Sequence, residues 1–398
     1  MLKESIRLVV LSQSQELKKN SAGIQRELLK NVDLRTKHAI ILSGIRQCGK
    51  STLLKQLLKD LTKFYYFNFE DPRALNFRLE DFETLEEVFK EEFGDSVYYF
   101  FDEIQNIQEW ERFVRARLDT GKKFIITGSN ASLLSKELGT RLTGRHLTYE
   151  LFPFSYKEML ELKSQKPSVK TFEEYSKKGG FPEFLIFDKN EILHELFNDI
   201  LLRDIVARYS LRESKTIKEL AIYLLTNVGS EFSYNKLAKY FNIGSVNSVI
   251  DYISYLEDSY LIFTISKFDY SYKKQIINPK KTYSIDTGLS NANSASFSED
   301  KGRVLENLVF LHLRRKYKEI YYFKRKHECD FVVKDKGKVI FAVQVCHTLT
   351  EDNKEREVNG LKEAMKELKI ETGVILTLNQ DDKLDDIPIK SAWKWMRE

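Results

Sequence analysis

One octet restricts the possible folds of this chain more than any other feature. Residues Gly44 to Ser51 match the pattern G-x-x-x-x-G-K-[ST], whose glycines let backbone N–H groups wrap a polyphosphate. The apolar run from Ala39 to Leu42 precedes the octet, and leucines at helical spacing follow it. This order predicts a strand, a phosphate-binding loop and the N-terminus of a helix. The predicted nucleotide-binding residues are Gly44, Ile45, Arg46, Gln47, Cys48, Gly49, Lys50, Ser51 and Thr52.

Nucleotide hydrolysis at such a loop requires a metal ligand and a base in addition to the phosphate contacts. We expect Lys50 to contact the β- and γ-phosphates and the Ser51 hydroxyl to bind Mg²⁺. The apolar run from Val97 to Phe101 predicts a buried strand that ends in Asp102 and Glu103. Asp102 is the predicted metal ligand, together with Ser51, and Glu103 is the predicted general base for the attacking water.

Further catalytic candidates follow the next predicted strand. Ser129 and Asn130 come directly after it, where small polar side chains are placed to orient water beside the γ-phosphate. Arg141 and Arg145 lie just before the last predicted strand of this region, and either is a candidate arginine finger for a neighbouring subunit. Solvated or acid-paired arginines are the alternative interpretation.

The pattern of apolar runs predicts the fold class. Five short runs alternate with helical stretches, which is typical of an α/β, doubly wound parallel sheet of P-loop type. We divide the chain into a P-loop core at residues 1–152, a helical middle at 153–229, a winged-helix-like segment at 230–289 and a small α/β domain at 302–398. The polar run Ser290 to Lys301 is the predicted linker before the last domain. The five runs are Ala39 to Leu42, Phe64 to Phe69, Val97 to Phe101, Phe124 to Thr127 and His146 to Leu151.

The winged-helix-like segment contains a short predicted helix, a turn and a longer amphipathic helix from Val246 to Leu256. Its second helix has the size of one that lies in a major groove, but acidic Asp251 would repel a DNA backbone. A protein contact or an ATPase lid is an equal alternative for this element. Its candidate nucleic-acid contacts are Lys236, Lys239, Asn247 and Ser248.

Composition narrows the functional classes. A net charge of +5, from 64 basic and 59 acidic side chains, permits nucleic-acid binding without arguing for it. The three cysteines form no CxxC pair, which fits a reducing compartment and gives no zinc or disulfide framework. No stretch approaches transmembrane length, and the apolar run near the N-terminus is too short for a signal peptide. We therefore expect a cytoplasmic protein without a membrane partner.

Several motifs together resemble one family. The sequence is similar to AAA-type ATPases of archaea and bacteria that have a winged helix and end in a restriction-endonuclease-like domain of unknown function. The resemblance implies an AAA+ core, ATP as the nucleotide, and a homo-oligomer in which Arg141 or Arg145 acts in trans. The motifs that carry it are Gly44 to Thr52, Asn68 to Arg73, Phe101 to Gln105, Thr127 to Asn130, Leu142 to Arg145 and Gly179 to Glu183.

The C-terminal segment resembles the layout of PD-(D/E)XK nucleases in degenerate form. Glu306 and Asp330 match the acids that bind magnesium in such sites, whereas Gln344 replaces an acid and Cys346 replaces the lysine. We therefore expect weak metal affinity and a nuclease-like fold that has lost its catalytic activity. An active nuclease remains an alternative, because a glutamine oxygen can bind metal and Lys338 is nearby. Lys324, Arg325 and Lys326 are further candidates for nucleic-acid contact, with a solvated basic face as the alternative.

Three functional hypotheses follow. The first is an ATP-hydrolysing, oligomeric, DNA-associated ATPase that couples nucleotide state to movement of the winged helix and the nuclease-like domain. The second is an ATP-dependent switch that binds a protein partner through its C-terminal domain without DNA. The third is a nuclease that ATP controls. ATP and Mg²⁺ are the expected ligands in all three.

Overall fold

The computed structural model describes residues 1–19, 23–129, 144–295 and 300–398. These residues form two compact units, Met1–Leu151 and Phe152–Glu398. Each unit has its own sheets and helices. Among the described residues, no helix combines the length and apolarity that a membrane span requires.

The first unit contains a five-stranded sheet in the order β2-β3-β4-β1-β5, in which all neighbouring strands are parallel. The central strands β1, β3 and β4 are almost wholly buried, because helices cover both faces of a parallel sheet and favour continuous apolar runs. This confirms the predicted α/β fold class. The strands are β1 (Ala39–Ser43), β2 (Tyr65–Asn68), β3 (Tyr98–Asp102), β4 (Lys123–Gly128) and β5 (His146–Glu150).

An aromatic core fills the space between this sheet and its helices. Phe82 is fully buried and stacks on Phe113, with ring centroids 4.6 Å apart. Tyr65 stacks on Phe89 at 4.7 Å, which fixes β2 against the helix that carries Phe89. The described helices of this unit are α1 (Lys3–Lys19), α2 (Lys50–Leu58), α3 (Asp81–Phe93) and α4 (Trp110–Leu118).

The second unit begins with a helical region. The helix Asn190–Asp199 continues directly into a π-helical segment, Ile200–Ala207. Such wide turns are rare and interrupt the regular hydrogen-bond ladder. The helices of this region are α5 (Tyr156–Lys163), α6 (Val169–Lys178), α7 (Pro182–Phe187), α8 (Asn190–Asp199) and α9 (Ser214–Thr226).

A buried carboxylate holds the diglycine turn of this region. The N–H of Gly180 donates a hydrogen bond of 2.6 Å to Asp286, which also caps a later helix through the N–H of Leu289. A Cβ atom on Gly179 would lie 2.1 Å from the same carboxylate, so the turn needs glycine there. Burial raises the pKa of Asp286 to about 6. The Gly179-Gly180 motif is thus explained by packing around one acid.

Four helices and a small antiparallel sheet follow. The sheet has the order β6-β8-β7, and its two longer strands are paired from Ile262↔Ser284 to Ser266↔Lys280. The elements are β6 (Glu231–Phe232), α10 (Tyr234–Tyr240), α11 (Val246–Asp258), β7 (Ile262–Ser266), α12 (Tyr272–Ile277), β8 (Lys280–Ser284) and α13 (Thr287–Asn293).

The C-terminal sheet has six strands in the order β13-β14-β12-β11-β10-β9. Strands β9, β10 and β11 form an antiparallel meander, and a long helix then carries the chain to β12, which is parallel to β11. Its elements are α14 (Lys301–Lys316), β9 (Glu319–Lys324), β10 (Glu328–Asp335), β11 (Lys338–Val345), α15 (Glu351–Leu368), β12 (Gly373–Thr377), β13 (Asp382–Leu384), β14 (Ile387–Ser391) and α16 (Ala392–Trp395).

The predicted linker from Ser290 to Lys301 is wrong at both ends. Its first residues belong to α13, where Ser290 is buried and its hydroxyl donates to the Asp286 carbonyl oxygen, and Lys301 opens α14. The start of this polar run is helical because Asp286 caps α13, and of the described residues in the run only Ser290 is buried. Residues 296–299 lie outside the described part of the chain.

The aromatic core predicts a stability effect at Phe82. Replacing Phe82→Ala should lower the free energy of unfolding by about 3–5 kcal/mol, because a stacked and fully buried ring leaves a cavity. Urea unfolding measures the change. Leu75→Ala is the control, since that side chain is 86% exposed and its loss should change stability by less than about 0.5 kcal/mol. Equal effects of the two substitutions would contradict the assigned packing.

Candidate functional site

Backbone conformation explains why the phosphate loop needs glycine. Strand β1 ends at Ser43, and helix α2 begins at Lys50 after a loop whose last residue, Gly49, has φ 99° in the left-handed region. A Cβ atom on Gly44 would lie 2.2 Å from the Leu151 carbonyl oxygen, and one on Gly49 would lie 2.9 Å from an Arg26 nitrogen. Larger residues at either position would displace the backbone of the loop.

A buried arginine supports this loop. Arg26 is 1% exposed, and its guanidinium donates a hydrogen bond of 2.6 Å to the Cys48 carbonyl oxygen. Its own N–H donates to Gln56 of α2 at 3.0 Å, so the arginine connects the loop with the helix that follows it. The Cys48 thiol is fully buried, and burial raises its pKa, which keeps the sulfur protonated and poorly reactive.

The loop lysine lies between the loop and the acid pair. Lys50 is 4% exposed, and its ammonium group donates to the carbonyl oxygens of Gly44 at 3.1 Å and Ile45 at 3.2 Å. The same group lies 3.5 Å from a carboxylate oxygen of Glu103. Lys50 and the predicted base are therefore close together.

Asp102 is fixed at the end of β3 by neighbouring hydroxyls. The Thr127 hydroxyl of β4 donates to one oxygen of the Asp102 carboxylate, and the Tyr66 hydroxyl lies 3.4 Å from the other. Burial raises the pKa of Asp102, as does the nearby charge of Glu103, while hydrogen bonds from Thr127 and Ser51 lower it. The structure thus brings the two predicted magnesium ligands, Ser51 and Asp102, into contact.

Glu103 occupies a strained backbone position beside Lys50. Its φ is 52°, which is uncommon for a residue with a side chain, and its N–H donates to the Thr127 hydroxyl at 2.9 Å. Burial raises the pKa of Glu103, but the positive charge of Lys50, together with the hydrogen bond from Gln105 and the charge of Arg46, lowers it overall. The Gln105 amide donates to the Glu103 carboxylate and lies 3.4 Å from the Ser129 hydroxyl. Glu103 is therefore an ionised, oriented carboxylate.

A cavity of about 570 Å³ opens beside this group of residues. Helix α1 forms one wall, where Gln13 is 4% exposed and exchanges hydrogen bonds with the Asn68 backbone at 3.1 and 2.9 Å. The cavity reaches both predicted magnesium ligands. Its lining consists of Gln13, Glu16, Leu17, Ser51, Lys55, Tyr66, Asn68, Glu70, Asp71, Pro72, Arg73 and Asp102.

The finger and sensor candidates have different outcomes. Asn130 and Arg141 lie outside the described residues. Ser129 is buried, and its hydroxyl lies 3.4 Å from the Gln105 amide. Arg145 is half-exposed, pairs with Asp119, and precedes β5 at the edge where β1 begins, opposite the edge that carries the loop. Within its own unit Arg145 is thus directed away from the phosphate site, and its role in trans stays a prediction.

The C-terminal acids surround a lysine that the sequence analysis did not select. Lys281 of β8 lies 3.1 Å from Glu306, 2.8 Å from Glu328 and 3.3 Å from Asp330. Burial lowers the pKa of Lys281, but the carboxylates raise it well above its usual value. Burial also raises the pKa of Asp330, and the charge of Glu306 adds to this rise. Glu306 and Asp330 are brought together as predicted, but around an ammonium group.

The two substituted positions of the nuclease-like layout lie beside this cluster. The Gln344 oxygen accepts the Asp330 N–H at 3.3 Å, and its amide donates to Glu357 at 2.6 Å. Cys346 is 8% exposed, and burial raises the pKa of its thiol to about 12. Glu357, on α15, was not selected from the sequence.

The candidate nucleic-acid contacts form two groups. Lys236, Lys239 and Asn247 are exposed on α10 and α11, whereas Ser248 donates its N–H to Ser245 as part of a helix cap. In the second group, Lys324 pairs with Glu231 at 2.7 Å and Glu328 at 2.9 Å.

Arg325 of this second group also pairs with acids. Arg325 lies 3.3 Å from Glu367 and 3.7 Å from Asp269. The Lys326 N–H donates to Glu363. Lys324 and Arg325 are therefore largely neutralised by neighbouring acids.

Several residues that shape both sites escaped sequence analysis for the same reason. Each acts on a residue elsewhere in the chain, and only Thr127 lies in one of the motifs named above, where it was given no role of its own. A polar residue at the end of a buried strand was the one available signal, and it applies only to Thr127. The missed residues are Arg26, Tyr66, Thr127, Lys281, Glu328 and Glu357.

Three family models match this chain in succession. Residues 36–160 match an AAA domain, which supports a P-loop ATPase family for the segment that contains the loop and the acid pair. Residues 169–300 and 301–394 match two domains of unknown function, DUF8612 and DUF4143.

Relatives cover nearly the whole chain. The uncharacterized protein MJ1544 of Methanocaldococcus jannaschii is 37% identical, across 97% of this chain and 94% of that protein. The chain belongs to the same family as MJ1544. An uncharacterized protein of Haemophilus influenzae is another member, 30% identical across 80% of this chain and 84% of its own length.

Two solved structures show weak similarity. AMPPCP-bound DnaA from Aquifex aeolicus aligns with a TM-score of 0.29 and 16% identity, over 65% of this chain and 89% of that one. Cdc6p from Pyrobaculum aerophilum aligns with a TM-score of 0.24 and 13% identity, over 76% of this chain and 95% of that one. Similarity at this level carries no argument about function.

The hydroxyl of Thr127 leads to a prediction. In Thr127→Val, the Glu103 N–H and an Asp102 oxygen lose a buried partner, so the free energy of unfolding should fall by about 1–3 kcal/mol. Denaturant unfolding measures this change. Thr148→Val on the exposed part of β5 is the control and should have little effect. A Thr127→Val protein as stable as the control would show that this hydroxyl does not hold the two strands.

Proposed function

We propose that the first unit binds ATP with Mg²⁺ and hydrolyses it. The observation that carries the proposal is the convergence of Lys50, Asp102 and Glu103 at the C-terminal edge of the parallel sheet, beside a glycine-rich loop. The choice of ATP rests on the resemblance to AAA-type ATPases and on the match to an AAA domain.

The residues present fit a magnesium ion. A hydroxyl from Ser51 and a carboxylate from Asp102 are hard oxygen ligands, and the hydrogen bonds around Asp102 fix its orientation. When bound, Mg²⁺ neutralises charge on the β- and γ-phosphates. The proposed ligands would thus hold the metal at the base of the cavity beside helix α1.

Glu103 and Lys50 have separate roles in the proposed hydrolysis. Glu103 stays ionised near neutral pH because Lys50 lowers its pKa, so it can accept a proton from the attacking water. Gln105 orients this carboxylate, and Ser129 lies next to Gln105. Lys50 would exchange its contacts with loop carbonyls for phosphate oxygens. A nucleotide would therefore change the distance between Lys50 and Glu103.

We further propose that nucleotide state is coupled to DNA through the second unit. The helix pair α10 and α11, followed by the antiparallel strands β7 and β8, supports a winged helix, and Lys236, Lys239 and Asn247 are exposed on it. The order α14, β9, β10, β11, α15 and β12 fits a restriction-endonuclease-like domain. Oligomerisation, with Arg141 or Arg145 acting in trans, and a cytoplasmic location are part of this proposal.

A switch that binds a protein partner is the second candidate. The neutralised Lys324 and Arg325 favour it over DNA binding at that position. The segment at α12 also exposes large apolar side chains, which is more typical of a protein contact than of a phosphate contact. These side chains are Tyr270, Tyr272, Ile276 and Ile277.

The assignment of the base makes a kinetic prediction. Glu103→Gln should retain ATP binding but lower the hydrolysis rate by about 10²–10⁴-fold, because the amide cannot accept the proton. Lys50→Ala should weaken ATP binding itself. Steady-state phosphate release and binding of a fluorescent ATP analogue separate the two effects. Glu80→Gln, an exposed acid before α3, serves as the control. Full hydrolysis by Glu103→Gln would exclude Glu103 as the base.

DNA association makes a separate prediction. Duplex binding should weaken as salt rises, and the double variant Lys236→Ala/Lys239→Ala should reduce both the affinity and the salt slope, by about 0.9 for each phosphate that the protein no longer neutralises. Fluorescence anisotropy at several salt concentrations measures both quantities. Lys166→Ala/Lys170→Ala removes two exposed charges elsewhere on the second unit as a matched control. Absence of binding at low salt would favour the protein-partner switch.

A further inference from the structure

The lysine among the C-terminal acids comes from outside the C-terminal domain. Lys281 belongs to β8 of the three-stranded sheet, 20 residues before the matched domain begins at residue 301. Its ammonium group reaches Glu306 on α14 and two acids on β10, Glu328 and Asp330, at 2.8 to 3.3 Å. An ammonium group has three N–H donors, and three carboxylates surround this one.

The ammonium group is enclosed on several sides. Lys281 is 3% exposed, and the ring of Tyr322 lies 5.7 Å from its nitrogen. Tyr283, two residues further along β8, donates its hydroxyl to Glu306 at 2.7 Å. A Cβ atom on Gly229 would lie 2.9 Å from the Glu306 carboxylate, so backbone packs closely there. Lys281 therefore has little room to move aside within this arrangement.

The acids of the cluster already form hydrogen bonds and ion pairs with protein groups. Asp330 accepts the Val345 N–H at 2.9 Å with one oxygen and faces Lys281 with the other. Gln344, in place of the usual acid, bridges Asp330 and Glu357. Within residues 1–19, 23–129, 144–295 and 300–398, no group of three or more His, Cys, Asp or Glu side chains is arranged to hold a metal ion.

Mg²⁺ does not fit beside this lysine. The ion needs oxygen ligands at about 2.0–2.1 Å in near-octahedral geometry, whereas these acids are spaced around an ammonium group. A divalent ion among them would also stand within a few ångströms of a fixed positive charge, in a buried setting where screening by water is weak. The residues present thus disagree with the metal that a nuclease-like fold would imply.

We propose that Lys281 is a built-in counterion that occupies a latent divalent-cation site and keeps the C-terminal domain free of metal. The domain then keeps the acids of a nuclease layout without its metal chemistry. The inference concerns a site separate from the ATP site and does not depend on hydrolysis there. It removes the ATP-controlled nuclease from the candidate functions.

The test is Mn²⁺ titration of the nucleotide-free, full-length protein by isothermal calorimetry. Lys281→Ala should bind one more Mn²⁺ per chain than the wild type, at least about tenfold more tightly than the weak surface binding that both share. Any ion held by Ser51 and Asp102 contributes equally to both proteins. Lys280→Ala is the matched control. The Lys280 side chain donates to Ser266 and not to the acids of the cluster, so this variant should gain no ion.

Two further variants locate the gained ion. Adding Asp330→Asn to Lys281→Ala should abolish the extra site, because one of its carboxylates is removed. The single variant Glu306→Gln should bind as many Mn²⁺ ions as the wild type. If Lys281→Ala does not fold, this comparison tests whether the wild-type cluster is free of metal. A folded Lys281→Ala protein without an extra ion would overturn the proposal.

Wild-type behaviour offers a second way to overturn it. If the wild type binds a Mn²⁺ ion that Glu306→Gln or Asp330→Asn loses, the site is already open to metal. Mn²⁺-dependent DNA cleavage by the wild type that Lys281→Ala abolishes would make this lysine a catalytic group instead of a counterion. The expected result is no such cleavage in either protein.

Discussion

The hydroxyl of Thr127 connects the parts of the first unit that must act together. It donates to the Asp102 carboxylate and accepts the N–H of Glu103, so one side chain on β4 sets both the metal ligand and the base at the end of β3. The Glu103 backbone, which has the uncommon φ of 52°, makes this contact, and the Glu103 carboxylate lies 3.5 Å from Lys50. The phosphate loop, the acid pair and the sheet edge thus form one coupled arrangement around a buried polar contact.

The sheet of the first unit was predictable because its central strands β1, β3 and β4 are continuous apolar runs. Helices cover both faces of the parallel sheet, so successive residues of its central strands are buried, as Ile40 and Phe100 are. Such strands appear in the sequence as unbroken apolar runs. Helix α1 was missed because only Ile6, Val9, Val10 and Gln13 are buried in its 17 residues. The first residues of the polar run from Ser290 were misassigned as a linker because the helix that contains them is capped by Asp286, whose carboxylate also binds a turn 106 residues earlier. Patterns of neighbouring residues report such long-range contacts poorly.

The same limit applies to the candidate sites. The phosphate loop and the Asp102-Glu103 pair are contiguous in sequence, so their chemistry could be predicted from the motif and the strand that delivers it. The supports of these residues could not, because Arg26, Tyr66 and Thr127 come from separate elements. In the C-terminal domain the acids Glu306 and Asp330 were found by their order along the chain. The cation between them comes from another sheet, and Lys281 has no sequence feature that distinguishes it from its neighbour Lys280.

The position of Lys281 has a consequence for how this family can diversify. A domain boundary drawn at residue 301 separates the lysine from the three acids that neutralise it. Recombination at that boundary would leave a buried excess of negative charge on one side and a buried ammonium group on the other, and either is costly. The two segments should therefore be inherited as a pair, and natural substitutions at position 281 should accompany changes among its acids. The charges of this cluster would therefore limit which C-terminal domains can be combined with the segment that carries Lys281.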